Sequence, residues 1–187
     1  MTAATQPTVT HTTTGGGGVT PAETTTATAT RYVLAGLRLA LGWIFLWAFL
    51  DKLLGLGLAT TADNAWINGG SPTRGFLGNA VKGPFADHYS SFAGAAWADW
   101  LFMTGLAGIG IALILGIGMR IAATTGALLL TAMWTAVLPP ENNPFMDDHL
   151  IYAGVLVLLA LTAAGNTLGL GKIWTGLPIV QRRPWLK

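Results

Sequence analysis

Two carboxylates and an imidazole stand side by side at Asp147, Asp148 and His149, inside the stretch PPENNPFMDDHLIY at 139–152. The stretch separates two strongly apolar runs, so these groups lie where the chain passes from water into an apolar environment. An acid at a helix start is stabilised by the macrodipole and by free backbone N–H groups. Two acids beside a histidine can also move protons to and from a reacting group. We expect Asp147 to cap a helix, and we predict catalytic proton transfer by Asp148 and His149.

Asp51 and Asp99 are predicted to lie at the same depth as this acidic stretch. Asp51 ends the first apolar run of the chain, and Asp99 begins the second. Two interpretations stay open: each acid serves the end of its own helix, or both converge with Asp148 and His149 in a proton-coupled catalytic site. We predict no metal site, because adjacent residues on a helix point about 100° apart and therefore diverge.

Arg38 lies inside the first apolar run and is the most costly residue of the chain to place there. A central arginine costs about 2.5–3.5 kcal/mol on insertion scales unless its charge is paired or reaches the membrane surface. Asp51 and Asp99 lie towards the other end of the run, so no acidic partner is evident. Its side chain therefore either extends to the nearer surface or carries a buried structural charge, and both interpretations are open.

The composition indicates that lipid is the solvent for much of the chain. The 187 residues are 52% hydrophobic and only 10% charged, whereas a soluble domain has about 25% charged residues. The mean hydropathy is +0.54. The net charge of +2 is too small to indicate a nucleic-acid partner. The absence of cysteine excludes disulfides, iron–sulfur clusters and thiol catalysis, so any redox role must borrow its electron carrier.

We predict an all-α fold, and within it an integral membrane four-helix bundle. A span needs about 20 apolar residues, and four segments approach this length: 32–50, 100–118, 121–138 and 148–164. The long loop at 51–97 is predicted to carry short interfacial helices, one of them in SPTRGFLGNAVKGP with Ser71 as its cap. Gly108, Ala112 and Gly116 share one face of the second helix, which predicts a close contact between helices.

Composition also divides the chain along its length. Residues 1–30 contain thirteen threonines and four consecutive glycines, which predicts a disordered tail. The four-helix membrane domain is predicted at 31–174, and a basic cytoplasmic tail at 175–187. The distribution of lysine and arginine favours cytoplasmic N- and C-termini, so the first and third loops would face outward.

Several motifs follow one another in the order and spacing of one protein family. They are LRLALGWIFLWAFLDKL in the first helix, WINGGSPTRGFL with GPF in the first loop, and NPFMDDHLIYAGVL followed by GNTLGLGKIW. From about Arg31 to Trp174 the chain resembles the DoxX/DoxD family of bacterial and archaeal four-helix membrane proteins. The loop motif and the last stretch are more similar to the DoxD branch, the membrane subunit of a thiosulfate:quinone oxidoreductase.

The resemblance implies a multi-pass protein of the plasma membrane that oxidises thiosulfate to tetrathionate at the outer face and passes electrons to membrane quinone. Quinone is then the electron acceptor, and no tightly bound cofactor is predicted. A DoxA-like second subunit or a soluble redox partner is also implied. The alternative is a non-catalytic membrane scaffold or anchor for an oxidoreductase or oxidative-stress complex.

Thiosulfate and quinone would need different surroundings. A dianion requires fixed positive charge, so Lys52, Arg74 and Lys82 are predicted to bind it, with help from backbone N–H groups of NGGSPTRG. A quinone ring requires apolar walls and a proton source. The predicted walls are the tryptophans Trp43, Trp47, Trp66 and Trp100. The acids and His149 would then supply protons during quinone reduction.

Overall fold

The computed structural model describes residues 21–141 and 143–187, and within these ranges the chain is helical and contains no β-strand. The predicted all-α class is therefore confirmed. Four long helices form the body of the protein: α1 (Pro21–Leu54), α4 (Ala96–Leu115), α5 (Met119–Ala136) and α6 (Asp148–Leu161). Four short helices complete it: α2 (Arg74–Asn79), α3 (Ala86–Ser90), α7 (Gly171–Gly176) and α8 (Pro178–Arg182).

Helix α1 begins at Pro21 and so differs from the predicted tail, which reached residue 30. Proline has a φ that suits a first helical turn, and Glu23 in that turn is favoured by the macrodipole. The Thr30 hydroxyl donates to the Thr26 carbonyl at 2.9 Å, which satisfies a polar side chain within the helix. Residues 1–20 of the predicted disordered tail lie outside the described residues.

The long helices pack in pairs, α1 mainly against α4 and α5 mainly against α6. Two buried glycines permit the closest approaches. A Cβ on Gly110 would lie 2.8 Å from the Leu46 nitrogen of α1, and a Cβ on Gly126 would lie 2.7 Å from Leu156 Cδ1 of α6. The predicted contact face is therefore wrong at Gly108, where a Cβ would meet nothing within 4 Å. The contact between α4 and α5 is correspondingly less extensive.

Two of the long helices, α1 over Glu23–Leu54 and α4, are long and apolar enough to cross a membrane. Helix α6 is shorter than predicted, with 14 residues, because Ala163 adopts a left-handed φ of 49° beyond its C-terminus. Helix α5 has 18 residues but carries Arg120 and several threonines among its apolar side chains. By length and composition the structure therefore supports two crossing helices, and four crossing helices stay a prediction.

The bundle has two distinct ends. The loop end contains the C-terminus of α1, the N-terminus of α4 and the start of α6, together with the loop that carries α2 and α3. Short helices in this loop were predicted, and α2 begins at Arg74, a little after the proposed Ser71 cap. The Ser71 Oγ nevertheless accepts a hydrogen bond from the Arg74 nitrogen at 3.2 Å, so it supports the helix start.

The opposite end, here called the turn end, contains the short α4–α5 turn and the segment after α6. The segment predicted as a basic tail packs back onto the bundle: Val180 is fully buried, and Trp174 Nε1 donates to the Leu186 carbonyl at 2.6 Å. The Arg120 nitrogen donates to the Lys187 carbonyl at 2.7 Å. The first N–H groups of a helix lack partners within it, and this contact supplies one for α5.

Candidate functional site

Arg38 is fully buried and has a structural role at the turn end. Its Nη1 donates to the carbonyls of Leu113 and, at 2.9 Å, of Ile114, in the last turn of α4. Its Nη2 donates to the carbonyls of Thr167, at 3.2 Å, and Leu168, at 2.8 Å. These carbonyls lie where a helix ends or the backbone turns, where the regular helical partners are missing. The Leu113 carbonyl also accepts from the Gly116 nitrogen at 3.2 Å. Of the two open interpretations, the structure supports the buried structural charge.

Asp99 is buried at the loop end and holds the first loop against α4. Its Oδ1 accepts hydrogen bonds from Ser71 Oγ at 2.9 Å, the Thr73 nitrogen at 2.9 Å and Thr73 Oγ1 at 2.6 Å. Thr73 Oγ1 in turn accepts from the Gly94 nitrogen at 3.2 Å. A carboxylate with three donors on one oxygen fixes the local backbone, so the geometry assigns Asp99 a positioning role.

Asp51 is also buried at the loop end, with 1% of its surface exposed, but neither of its carboxylate oxygens has a hydrogen-bond partner among the described residues. Burial of an unpaired polar group costs free energy, and burial of an unpaired charge costs more. The residue therefore destabilises the fold as it stands. Such a residue within an apolar span is a candidate for function.

Lys52 and Arg74 line one cleft at the loop end, here called the basic cleft. Its volume is about 520 Å³. The other polar side chains of its lining are Thr60, Thr61, Asn64, Ser71 and Asn79. None of the lining residues that the structure describes is acidic. Within the same ranges neither the Lys52 ammonium nor the Arg74 guanidinium lies within 4 Å of a carboxylate oxygen, so no direct ion pair competes with an anion in the cleft. Lys52 does interact electrostatically with the neighbouring Asp51 carboxylate.

Lys82, the third predicted anion-binding residue, lies in a different cleft of about 640 Å³, here called the acidic cleft. Its Nζ lies 3.6 Å from the Glu141 Oε1. Asp147 and Asp148 line the same cleft. The structure therefore does not bring Lys82 together with Lys52 and Arg74, because the Lys82 backbone nitrogen is bonded to the Ala136 carbonyl at the end of α5, at 2.9 Å.

The start of α6 confirms the predicted cap. Asp147 is the N-cap residue, and its Oδ1 accepts from the Leu150 nitrogen at 3.4 Å. Its other oxygen, Oδ2, lies 2.7 Å from His149 Nδ1, so the cap also orients the imidazole ring. Asp148 is exposed. Ligand atoms of Asp147, Asp148 and His149 lie within 4.8 Å of one another, a spacing that a metal ion could bridge. The Asp147–His149 contact already uses two of them.

The four tryptophans predicted to surround a quinone ring do not form one site. Trp43 and Trp47 contact each other on α1 with ring centroids 5.6 Å apart, and Trp66 and Trp100 form a second pair at 4.7 Å. A different aromatic pocket, here called the aromatic chamber, lies at the loop end beside α4 and α5. Its rings come from Phe76, Tyr89, Phe92, Trp97 and Phe102. The spacing of Tyr89 and Phe92 marks an aromatic stripe, but the chamber also needs side chains from α2 and α4.

The chamber and the basic cleft share a wall, because Pro72 and Phe76 line both. Asp99 fixes this wall through its bonds to Ser71 and Thr73. A ligand in the basic cleft and a ligand in the chamber would therefore lie on two sides of the same residues. Comparison of the chain with protein-family models, with curated proteins and with solved structures gives no match.

Proposed function

We propose that the chain is an integral membrane redox protein that oxidises thiosulfate in the basic cleft and passes the electrons to membrane quinone. The observation that carries the proposal is the pair of cations, Lys52 and Arg74, in one cleft without an acidic lining residue among those described. A dianion such as thiosulfate needs two positive charges and hydrogen-bond donors. Hydroxyl and amide groups of the same lining supply the donors. The choice of thiosulfate follows the resemblance to the DoxD branch.

The membrane part of the proposal places all four long helices in a bacterial or archaeal plasma membrane, with the loop end outside. Large apolar side chains on the shorter helices support it. Leu128 of α5 is 67% exposed, and Ile151 and Leu161 of α6 are 55% and 80% exposed. Apolar surface of this kind is unfavourable in water and favourable in lipid. Tags at 139–148 that react only with membrane-impermeant reagents added outside would support this orientation, and tags protected there would contradict it.

The reaction balances with two substrates and no resident cofactor. Two thiosulfate ions form one S–S bond and release two electrons, which gives tetrathionate. A quinone takes up these two electrons and two protons to become a quinol. The wall of Pro72 and Phe76 separates the basic cleft from an apolar chamber, so electrons would have a short path between the two substrates. Asp148 and His149 remain the proposed proton donors.

The test is the thiosulfate-dependent reduction of a chainless, water-soluble quinone by the purified full-length chain in detergent. We expect Lys52→Gln and Arg74→Gln each to raise the half-saturating thiosulfate concentration about tenfold, which corresponds to about 1.4 kcal/mol. Lys82→Gln is the matched control, because its charge lies in the acidic cleft. Turnover without thiosulfate, or equal effects of all three variants, would contradict the basic cleft as the anion site.

The second candidate function is the non-catalytic scaffold or anchor. It is favoured by the structural role of one residue that was predicted to be catalytic, because Asp99 holds the first loop against α4. A scaffold would show no turnover in the same assay and would co-purify with a DoxA-like subunit or a soluble redox protein. Restoration of turnover when that partner is added would assign catalysis to the complex.

A further inference from the structure

An apolar groove runs along the outside of the bundle between α4 and α5. Its volume is about 770 Å³, and its lining extends on α4 and the following turn from Leu101 to Ile117, roughly 24 Å at 1.5 Å per residue. Trp174 lies at its turn end. The groove exists because small side chains line it and because α4 and α5 make few contacts. Its length approaches the thickness of a hydrocarbon core, about 30 Å.

Polar groups of this groove are already satisfied. Thr104 Oγ1 donates to the Trp100 carbonyl at 2.7 Å, and Thr125 Oγ1 donates to the Ile121 carbonyl at 2.8 Å. These hydroxyls are bonded within their own helices and offer no free proton to a ligand. The groove therefore suits a long, flexible hydrocarbon chain and gives no attachment point to a polar one.

The groove and the aromatic chamber adjoin at the loop end, because Leu101, Leu129 and Ala132 line both. The chamber has a volume of about 220 Å³, which is small enough for a single ring. Its aromatic walls favour stacking with a flat, apolar head. A hydrocarbon chain in the groove would thus continue directly into a ring in the chamber.

Among the described residues, Thr73, Tyr89 and Trp97 bring polar side-chain atoms to the lining of the chamber. Thr73 Oγ1 is already bonded to Asp99 and to the Gly94 nitrogen, whereas the Tyr89 hydroxyl oxygen lies 2.6 Å from Thr135 Oγ1. Thr135 Oγ1 lies 2.8 Å from the Ala132 carbonyl, and when it donates its proton there, Tyr89 is the donor of the pair. The Tyr89 oxygen can therefore accept a hydrogen bond from a ligand hydroxyl. A small rotation would instead direct its proton to a ligand carbonyl. A group that accepts or donates at one position suits a ring that interconverts between quinone and quinol.

We propose that the aromatic chamber and the α4–α5 groove together form the binding site of a prenylquinone, with its ring in the chamber and its isoprenoid chain along the groove. The inference rests on the proposed function, and it adds the location of the acceptor and the residues that hold it. The ring contacts Phe76, the same side chain that lines the basic cleft. This site replaces the tryptophan site expected from the sequence.

Two other occupants fit less well. A phospholipid acyl chain could lie in the groove, but its charged headgroup would meet a chamber whose lining carries no charged residue among those described. A helix of a second copy could contact the groove, but it would leave the chamber and Tyr89 without a ligand. Both remain outcomes of the experiment below.

Gly108 provides a variant that fills the groove without disturbing the fold. It lies on α4 in the groove lining, and a Cβ placed there meets nothing within 4 Å. Gly108→Leu would therefore extend into the space assigned to the chain. Gly154→Leu on α6 is the matched control, because Gly154 is also an exposed helical glycine with nothing within 4 Å of its Cβ and lies outside the groove. Tyr89→Phe tests the head position.

The experiment uses the full-length chain in phosphatidylcholine nanodiscs and a long-chain prenylquinone with a photoreactive group on its chain. Cross-links are mapped by mass spectrometry, and affinity is measured by competition with the unmodified prenylquinone. We expect cross-links within residues 101–132, an affinity about tenfold lower in Gly108→Leu, and no change in Gly154→Leu. Tyr89→Phe should weaken binding of the ring while the cross-linked residues stay the same.

Four results would overturn the proposal. They are cross-links outside the groove, equal affinity in Gly108→Leu and Gly154→Leu, cross-links that an excess of the unmodified prenylquinone does not displace (as expected if the groove holds any lipid chain), and loss of a dimer on Gly108→Leu. The assay contains no thiosulfate, so it is independent of the proposed reaction. Quinone binding in the groove without thiosulfate oxidation would remove the proposed function alone. Thiosulfate-dependent reduction of a prenylquinone that Gly108→Leu leaves unchanged would remove this site alone.

Discussion

Arg38 and Asp51 are two buried charges on the same helix, roughly 20 Å apart at 1.5 Å per residue, yet their surroundings are opposite. The Arg38 guanidinium donates to four backbone carbonyls at the turn end. The Asp51 carboxylate at the loop end has no donor among the described residues. Both Nη atoms of Arg38 have partners and so connect α1 to the rest of the fold, whereas its Nε has none among the described residues. The Asp51 carboxylate without such partners lowers stability, which makes Asp51 a candidate for function at the loop end.

The largest effect is expected from Arg38→Met. The substitution keeps apolar volume but removes the donor to two carbonyls in the last turn of α4 and to two carbonyls in the segment after α6. Of these, the Leu113 carbonyl keeps the Gly116 nitrogen as a donor at 3.2 Å. We expect the free energy of unfolding in mixed micelles to fall by about 3 kcal/mol or more. Arg31→Met is the matched control on α1, because Arg31 is exposed, and it should change stability by less than about 0.5 kcal/mol. Equal stability of the two variants would contradict a structural role for Arg38.

A smaller loss of stability is expected from Asp99→Asn. Asp99 differs from Asp51 in having three donors on one oxygen, and an amide oxygen accepts them without the assistance of a negative charge. We expect unfolding in the same micelles to require about 1.5 kcal/mol less free energy. Proteolysis of the loop around Ser71 should also become faster. A variant with native stability and native proteolysis would show that Asp99 does not hold the loop.

Asp51→Asn should act in the other direction. Removal of a buried charge without a partner should raise the free energy of unfolding by about 1 kcal/mol. If the charge is retained for catalysis, thiosulfate-dependent turnover should fall at least about tenfold in the same protein. A loss of stability like that of Asp99→Asn would instead show that Asp51 is a structural residue.

The smallest effect belongs to the exposed pair of Lys82 and Glu141. The two side chains are 40% and 83% exposed, with 3.6 Å between Nζ and Oε1, so solvent screens their attraction. A double-mutant cycle of Lys82→Gln and Glu141→Gln should give a coupling free energy below about 0.5 kcal/mol. A larger value would mean that charge at the loop end contributes to the fold, which would weaken the contrast between Arg38 and Asp51.

The sequence predicted the four long helices, because apolar runs with glycine, proline and acidic residues at their ends mark helical segments directly. It did not predict the start of α1 at Pro21 or the short helices α7 and α8. It also predicted the Asp147 cap, since a cap depends only on residues a few positions apart. Hydrogen-bond partners that are backbone atoms cannot be predicted in this way, because no residue type in the sequence indicates them. Nothing in the residue types around Arg38 indicates that the carbonyls of Leu113 and Leu168 would converge on it.

The site was predictable only in part, because its geometry depends on the path of the first loop. Lys52, Arg74 and Lys82 share a charge and a predicted side of the membrane, but the fold assigns Lys82 to another cleft. The aromatic chamber combines the loop, α2 and α4 with side chains of α5. No periodicity within one element reveals such a combination. The quinone site was predicted at the tryptophans because they are prominent in the sequence, but in the structure they form two separate pairs.

The wall of Pro72 and Phe76 has a consequence for how incompatible reactants could be kept apart. In the proposed reaction, the thiosulfate anion dissolves in water and the apolar quinone ring dissolves in lipid, so the two would rarely collide in either medium. Because the Phe76 side chain lines both the basic cleft and the aromatic chamber, the anion could stay in water and the ring could stay in an apolar site. Electrons can be transferred across a layer as thin as one side chain, whereas ions cannot cross it. Oxidation on one side therefore need not make the membrane permeable to ions.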